Sequence, residues 1–498
     1  MTARATWTAA LLGALSFGCQ TEGAGEGPTI HLADCASLGA AKCGVIRVRE
    51  DPDASEGRTL DLAVVVVPAS GNNPAKDPVF VLAGGPGQGA ASLAQYIMPR
   101  LEPIGRDRDL VFVDLRGTGA SAPLACAFEK HDDLAEMLAA ELHLERLADC
   151  LSSYGDADLR HYSTESAMVD LEQVRAALGY EQINFLAISY GTRAALTYLR
   201  RHPERVRSMV LDGVVPLDQN LYATIPASNE RALNRVLSDC RTNAECDAAY
   251  PGLERELEQV LTELDASRRL VELQHPRTGA LERYDISRTG FLGGLQMALY
   301  SSQTSALIPR MIHAAHRGDF GPIAAFTLHA GGNSSSLSLG LYLTVSCAEE
   351  VAQLDDATLA KAEAGLRWFD AGSLRDLRSV CARWVPAELP DDFASPTHAD
   401  APTLLISGNY DPVTPPSLAE HVASQLGNAR SVVVGTAHHG LWWQGCAPRL
   451  LAEFFADPRP DALDVSCLER APGARPFLSP NGPRAMSDPL QSAHEDTP

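Results

Sequence analysis

At 498 residues the chain can hold one large domain with a substantial insertion, because a single hydrophobic core stops growing at roughly 250–300 residues. Its composition, 45% hydrophobic and 21% charged, is that of a soluble globular protein, and no uncharged apolar run reaches the about 18 residues of a membrane span. With 41 Lys plus Arg against 63 Asp plus Glu, the formal charge of −22 opposes phosphate backbones, so nucleic acid is not an expected partner.

Residues 1–19 have the form of a targeting segment. Arg4 gives a weakly positive start, and Trp7 to Phe17 form a short apolar stretch ending at Gly18-Cys19. Cys19 followed by QTEGAGEG resembles a bacterial lipoprotein cleavage site and tether, although Leu15 stands four residues before the cysteine rather than three. Two destinations follow: the bacterial cell envelope, with a lipid anchor on Cys19, or plain secretion. Residues 20–29 form a linker. Of 11 cysteines, removing Cys19 leaves ten, an even number that reads as disulfides behind an export signal. Cys35 with Cys43, Cys240 with Cys246, and Cys446 with Cys467 are close in sequence; Cys126 with Cys150 and Cys347 with Cys381 would complete a set of local bridges. No C-x-x-C pair or zinc-spaced cysteine/histidine cluster occurs, so no metal site is expected.

Strand-like runs recur from residue 30 to 215: LDLAVVVVP at 60–68, VFVLA at 79–83, DLVFVDL at 109–115, INFLAIS at 183–189 and VRSMVLDG at 206–213. Such near-continuous apolar runs suit parallel strands buried on both faces. Before the fourth run, Met168, Leu171, Val174 and Leu178 repeat at helical spacing, with Thr164 as N-cap and Gly179 closing the C-terminus. Alternating strands and helices predict an α/β fold with a mostly parallel central sheet. Residues 216–396 turn helical and charge-rich, as in LERELEQVLTELDASRRL, and read as an inserted, mainly helical cap. The sheet resumes over 397–470 with TLLISG at 403–408 and SVVVG at 431–435. Residues 471–498 carry six prolines and little periodicity, and read as an extended or disordered tail.

Ser189 closes an apolar strand and is followed by Tyr190-Gly191 and the helical run TRAALTYLRRHP, the strand–turn–helix of a nucleophile elbow. Small residues at 187 and 191 let strand and helix pass closely, although Ala187 stands where the usual pattern has glycine. A serine hydroxyl needs a base to remove its proton, and that base needs a carboxylate to orient it. Asp411, past the strand TLLISG, and His438-His439, past SVVVG, follow in the order serine, acid, histidine and sit at strand C-terminal ends, where open α/β sheets place active-site loops. Asp411 also suits an Asp-Pro turn. Of the two histidines, His439 is favoured because it precedes Gly440, leaving His438 as a wall or solvent-facing neighbour. The glycine-rich turn AGGPGQGA at 83–90 lacks the spacing of a dinucleotide or phosphate loop. It is placed to supply an oxyanion donor: the amides of Gly85 and Tyr190 would each contribute on the order of 3 kcal/mol to binding the developing charge.

Together the segments GGPGQG at 84–89, VDLRGTGAS at 113–121, ISYGTRAALTYLRRHPERV at 188–206, ISGNYDPVTPP at 406–416 and the HG at 439–440 resemble the prolyl and tripeptidyl aminopeptidases among the α/β-hydrolases. The match runs from about residue 30 to 470. It departs at Ala83, where many relatives have histidine, and at Ala187. The resemblance implies the α/β-hydrolase fold and an exopeptidase that takes a peptide with a free N-terminus and releases one residue or a short peptide. It implies roles for Ser189, Asp411, His439, Gly85 and Tyr190 without any cofactor. Glu349 and Glu350, in SCAEE, look like the family's acidic position after a cysteine, where they would bind the substrate ammonium; an exposed helix start rich in acids is the structural alternative. Two other readings stay open: an esterase or other acyl hydrolase using the same triad, and a catalytically silent binding protein on a hydrolase scaffold. Nothing in the sequence indicates an oligomeric state.

Overall fold

The computed structural model describes residues 29–126, 138–139, 144–274, 279–332 and 337–483. The segment carrying Cys19 lies outside them. Eleven strands occur among the described residues: β1 (Ala33–Asp34), β2 (Lys42–Arg49), β3 (Thr59–Val67), β4 (Val79–Leu82), β5 (Leu110–Val113), β6 (Ile183–Ile188), β7 (Val206–Asp212), β8 (Arg269–Gln274), β9 (Leu281–Ile286), β10 (Thr403–Gly408) and β11 (Ala429–Val434). Nine of them form one sheet in the order β1-β2-β3-β5-β4-β6-β7-β10-β11. From β5 to β11 all neighbours are parallel, whereas β1, β2 and β3 run antiparallel at one edge. The run at 60–68 is therefore antiparallel, contrary to the expectation for it: an apolar run reports burial on both faces, not direction. The central strands bury Phe80, Phe112, Phe185, Met209 and Leu405 completely, each worth about 1.5–3 kcal/mol of transfer free energy.

The chain visits β4, then β5 on one side of it, then β6 on the other, so the strand order reverses at β4. A crevice opens there at the carboxyl ends, where such sheets bind ligands. Leu82 pairs with Ala187, Ile188 with Asp212, Ile406 with Asp212, and Gly408 with Val434. The loops after β4, β6, β7, β10 and β11 consequently leave the sheet side by side.

The helix before β6 spans Thr164–Ala177, and its N-cap is Ser163, whose hydroxyl accepts from the Ser166 amide, one residue before the expected Thr164. Gly179 closes it with φ 76°. Among the described residues, the insertion between β7 and β10 has helices and the antiparallel hairpin β8–β9, and it has its own core around Leu257, Phe291, Leu295, Ile308 and Ile312. After β11, residues 471–477 form no helix or strand; the Phe477 amide donates to Ala306 and its carbonyl accepts from the Tyr250 hydroxyl, both in the insertion. Disulfides join Cys35–Cys43, Cys126–Cys150, Cys240–Cys246, Cys347–Cys381 and Cys446–Cys467.

One motif segment, VDLRGTGAS, supplies two structural clamps. Asp114 of VDLRGTGAS is fully buried and accepts from the Ser92 amide (3.0 Å), the Ser92 hydroxyl (2.7 Å) and the Ala120 amide (2.8 Å). Gly89 and Gly119 approach it so closely that a Cβ at either would lie 2.5 Å or less from its carboxylate. Arg116 forms a two-pronged pair with Asp170 and caps the carbonyls of Glu50 and His161, tying the loop after β5 to the helix before β6.

Candidate active site

Ser189 stands between β6 and the helix Tyr190–Arg201 with φ 56° and ψ −124°. This backbone costs an L-residue on the order of 1–3 kcal/mol, so the surroundings must hold it. The Ser189 amide donates to the Asp212 carbonyl (2.8 Å), and a Cβ at Gly191 would lie 2.5 Å from the Leu82 carbonyl oxygen. The helix can therefore cross β4 only with glycine at 191. The turn after β4 folds back over the serine: a Cβ at Gly84 would lie 3.2 Å from that of Ser189. Gly85, with φ 112°, lines the same cavity as Ser189, and the turn is pinned by the Ser338 amide donating to Gly87 (2.9 Å).

Asp411 is fully buried and receives four donors: the amides of Val413 (2.9 Å) and Thr414 (2.8 Å) on Oδ1, and the Thr414 hydroxyl and His439 Nδ1 on Oδ2, both at 2.7 Å. Burial alone would raise its proton affinity, but His439 and the Thr414 donors outweigh it and hold the carboxyl below its ordinary value. For His439, burial lowers the pKa and the charge of Asp411 more than restores it, leaving the imidazole above its ordinary value. His439 is the histidine that pairs with Asp411. His438 is buried, with Nδ1 on the Leu299 carbonyl (2.7 Å) and Nε2 near the Ser305 hydroxyl (3.1 Å), and burial lowers its pKa.

The cap completes these contacts. The Tyr300 carbonyl accepts from the His439 amide (3.2 Å) and its ring meets the imidazole edge-on at 5.3 Å. Arg231, on the helix Leu221–Thr242, reaches the carbonyls of Asn409 and Asp411. Thr414 and Arg231 were not foreseen from sequence. The signal for Thr414 was available, since a hydroxyl three residues past an Asp-Pro turn can bond back to the aspartate. Thr414→Val removes a hydrogen bond to a charged oxygen, worth about 1.5–3 kcal/mol, and is expected to lower kcat about tenfold with the fold intact, as steady-state kinetics will show.

Glu349 and Glu350 end the helix Leu339–Glu349 instead of starting one, and both are buried. The exposed helix-start alternative is therefore incorrect. Glu349 accepts from the Thr164 amide (3.0 Å) and hydroxyl (2.9 Å), Glu350 from the Leu221 amide (2.8 Å), and Arg193 pairs with both, at 3.4 and 2.6 Å. Burial pushes the Glu350 carboxyl up to about 7 against the pull of Arg193. A small cavity of about 30 Å³ touches Ser189, Tyr190, Arg193, Glu349 and Glu350, while a larger one of about 600 Å³ lies over Ser189. The larger is walled by Ile225, Leu339, Leu343, Leu377 and Val380 from the cap.

A sheet that reverses beside a strained serine, with an aspartate–histidine pair on the next loops, is the architecture of the α/β-hydrolases. Residues 77–286 match the alpha/beta hydrolase fold family and residues 368–467 the family described as TAP-like protein. The chain is thus a serine hydrolase of the α/β-hydrolase fold whose C-terminal part is TAP-like. It is 26% identical over 436 residues to the serine protease Hip1 of Mycobacterium tuberculosis, covering 80% of this chain and 82% of that protein. Carboxylesterase B of the same organism is 28% identical over 474 residues, 88% of each chain. A tripeptidyl aminopeptidase of Streptomyces coelicolor is 29% identical over 190 residues, 35% of each.

Proposed function

We propose that this protein is an exported serine exopeptidase that releases an N-terminal residue or short peptide through an acyl-enzyme. In this reading Ser189 attacks the carbonyl, His439 takes its proton and returns it to the leaving amine, and Asp411 holds the imidazole with Nδ1 protonated. The amides of Gly85 and Tyr190 receive the oxyanion. The observations that carry the reading are the Asp411–His439 hydrogen bond and a serine held at φ 56° whose amide donates to Asp212, next to the Gly213 that packs against His439. The five disulfides support export, because such bonds persist in oxidising compartments. Lipid anchoring through Cys19 is part of the same proposal.

The carboxylates next to Ser189 support a preference for a free amine. Two buried carboxylates share one guanidinium, and burial, with Glu349 beside it, raises the proton affinity of Glu350 despite the pull of Arg193. A substrate ammonium would supply a second cation, through a charge-assisted hydrogen bond of about 1.5–3 kcal/mol. N-acetylation of a chromogenic peptide amide is accordingly expected to lower kcat/KM by about tenfold or more. Indifference to acetylation, with faster turnover of simple esters, would favour the second reading, an esterase or other acyl hydrolase. The apolar wall of the large cavity is the observation on its side.

A further inference from the structure

Asp212, the last residue of β7, is completely buried and has no place in the mechanism above. Its Oδ2 accepts the amides of Leu441 (2.5 Å) and Trp442 (2.7 Å), in the turn directly after His439. Its main-chain carbonyl accepts the Ser189 amide (2.8 Å). The next residue, Gly213, packs against the imidazole: a Cβ there would sit 2.9 Å from His439 Cε1, and φ is 70°. One residue thus bonds to the segments carrying both the serine and the histidine.

We propose that Asp212 is a positioning residue: its carboxylate fixes the turn that carries His439 and its carbonyl fixes Ser189, so that it sets the approach of base to nucleophile. The inference rests on the serine-hydrolase reading of the site. Two amides could be held by a neutral side chain such as asparagine, so the carboxyl group itself needs a reason. The second carboxylate oxygen, Oδ1, is buried without a hydrogen-bond partner, an arrangement that costs free energy unless something uses it. The titratable groups acting on Asp212 are His439 and Asp411, and burial pushes its carboxyl up to about 7. Its charge in turn raises the proton affinity of His439, adding to that of Asp411. Above about pH 7, where Asp212 is ionised, the imidazolium formed when His439 takes the serine proton therefore has two carboxylates near it, one bonded to Nδ1 and one behind its turn.

The test compares wild type, Asp212→Ala and Asp212→Asn. Asp212→Ala loses the acceptor and the charge, and kcat is expected to fall about 100-fold with KM little changed, as for a small misplacement of a reacting group. Asp212→Asn keeps an acceptor for the two amides and should recover part of that loss. In Asp212→Asn the acid limb of kcat/KM should move to lower pH, because His439 has lost one of the charges that raise it. A purely structural role would lower Tm and leave kcat and the acid limb of the folded enzyme unchanged; that result overturns the proposal. If Asp212→Ala does not fold, Asp212→Asn decides alone by the same two readouts. Labelling of wild-type Ser189 by a fluorophosphonate separates the two levels. Absence of label sinks the hydrolase reading, whereas equal labelling rates in wild type and Asp212→Asn sink only the inference.

Discussion

Ser189→Ala is expected to lower kcat/KM for aminoacyl and tripeptidyl chromogenic amides by about a million-fold, since a triad works as a unit and its nucleophile carries nearly the whole effect. The substitution removes one oxygen from a position whose backbone is fixed by other groups: the Asp212 carbonyl, the close passage of Gly191 and the start of the helix Tyr190–Arg201. KM should change little, because the cavity walls and the Glu349–Arg193–Glu350 cluster remain. Residual turnover would report binding and the oxyanion donors alone. Undiminished hydrolysis by the variant would remove Ser189 from the mechanism.

Asp411→Asn is expected to cost about 10⁴ in kcat, for a reason of proton placement. All four donors to Asp411 point at carboxylate oxygens, two on each. An asparagine must turn its amide group toward one pair. Facing His439, it forces the ring proton to Nε2, where the base cannot accept from serine; turned the other way, it opposes the amides of Val413 and Thr414. The pH profile carries a second signature. His439 titrates above its ordinary 6.5 because Asp411 more than offsets burial, so wild-type kcat/KM should rise with pH through an acid limb above that value. Without the Asp411 charge the histidine falls, and the limb should move to lower pH while the plateau drops. A profile that keeps its midpoint after the substitution would show that another carboxylate orients the base.

The strands that build the site were legible because each is buried on both faces and therefore continuous in apolar residues, as in INFLAI and TLLISG. β2 was not, since KCGVIRVR alternates charged and apolar residues along an antiparallel edge. The candidate serine, acid and histidine could be named from chain order, yet the groups that pack around them could not. Arg193 meets Glu349 across 156 residues of sequence, and Arg231 meets Asp411 across 180, so no local pattern announces either pair. Asp212 was hidden differently: it ends the run VRSMVLDG as an ordinary strand terminus, and only burial shows that its carboxylate faces inward. Glu349 and Glu350 were visible as residues and not as a cluster, because the cation they share lies on the helix that follows Ser189.

Tyr300 and Arg231 belong to the insertion, yet they bond to the backbones of His439 and Asp411. An insertion that only narrowed the entrance could be traded between relatives to change selectivity while the chemistry stayed intact. Here the part that chooses the substrate also braces the part that reacts. Selectivity and rate are therefore inherited together, and a graft of this cap onto another hydrolase core succeeds only if the arginine and tyrosine travel with loops shaped to receive them.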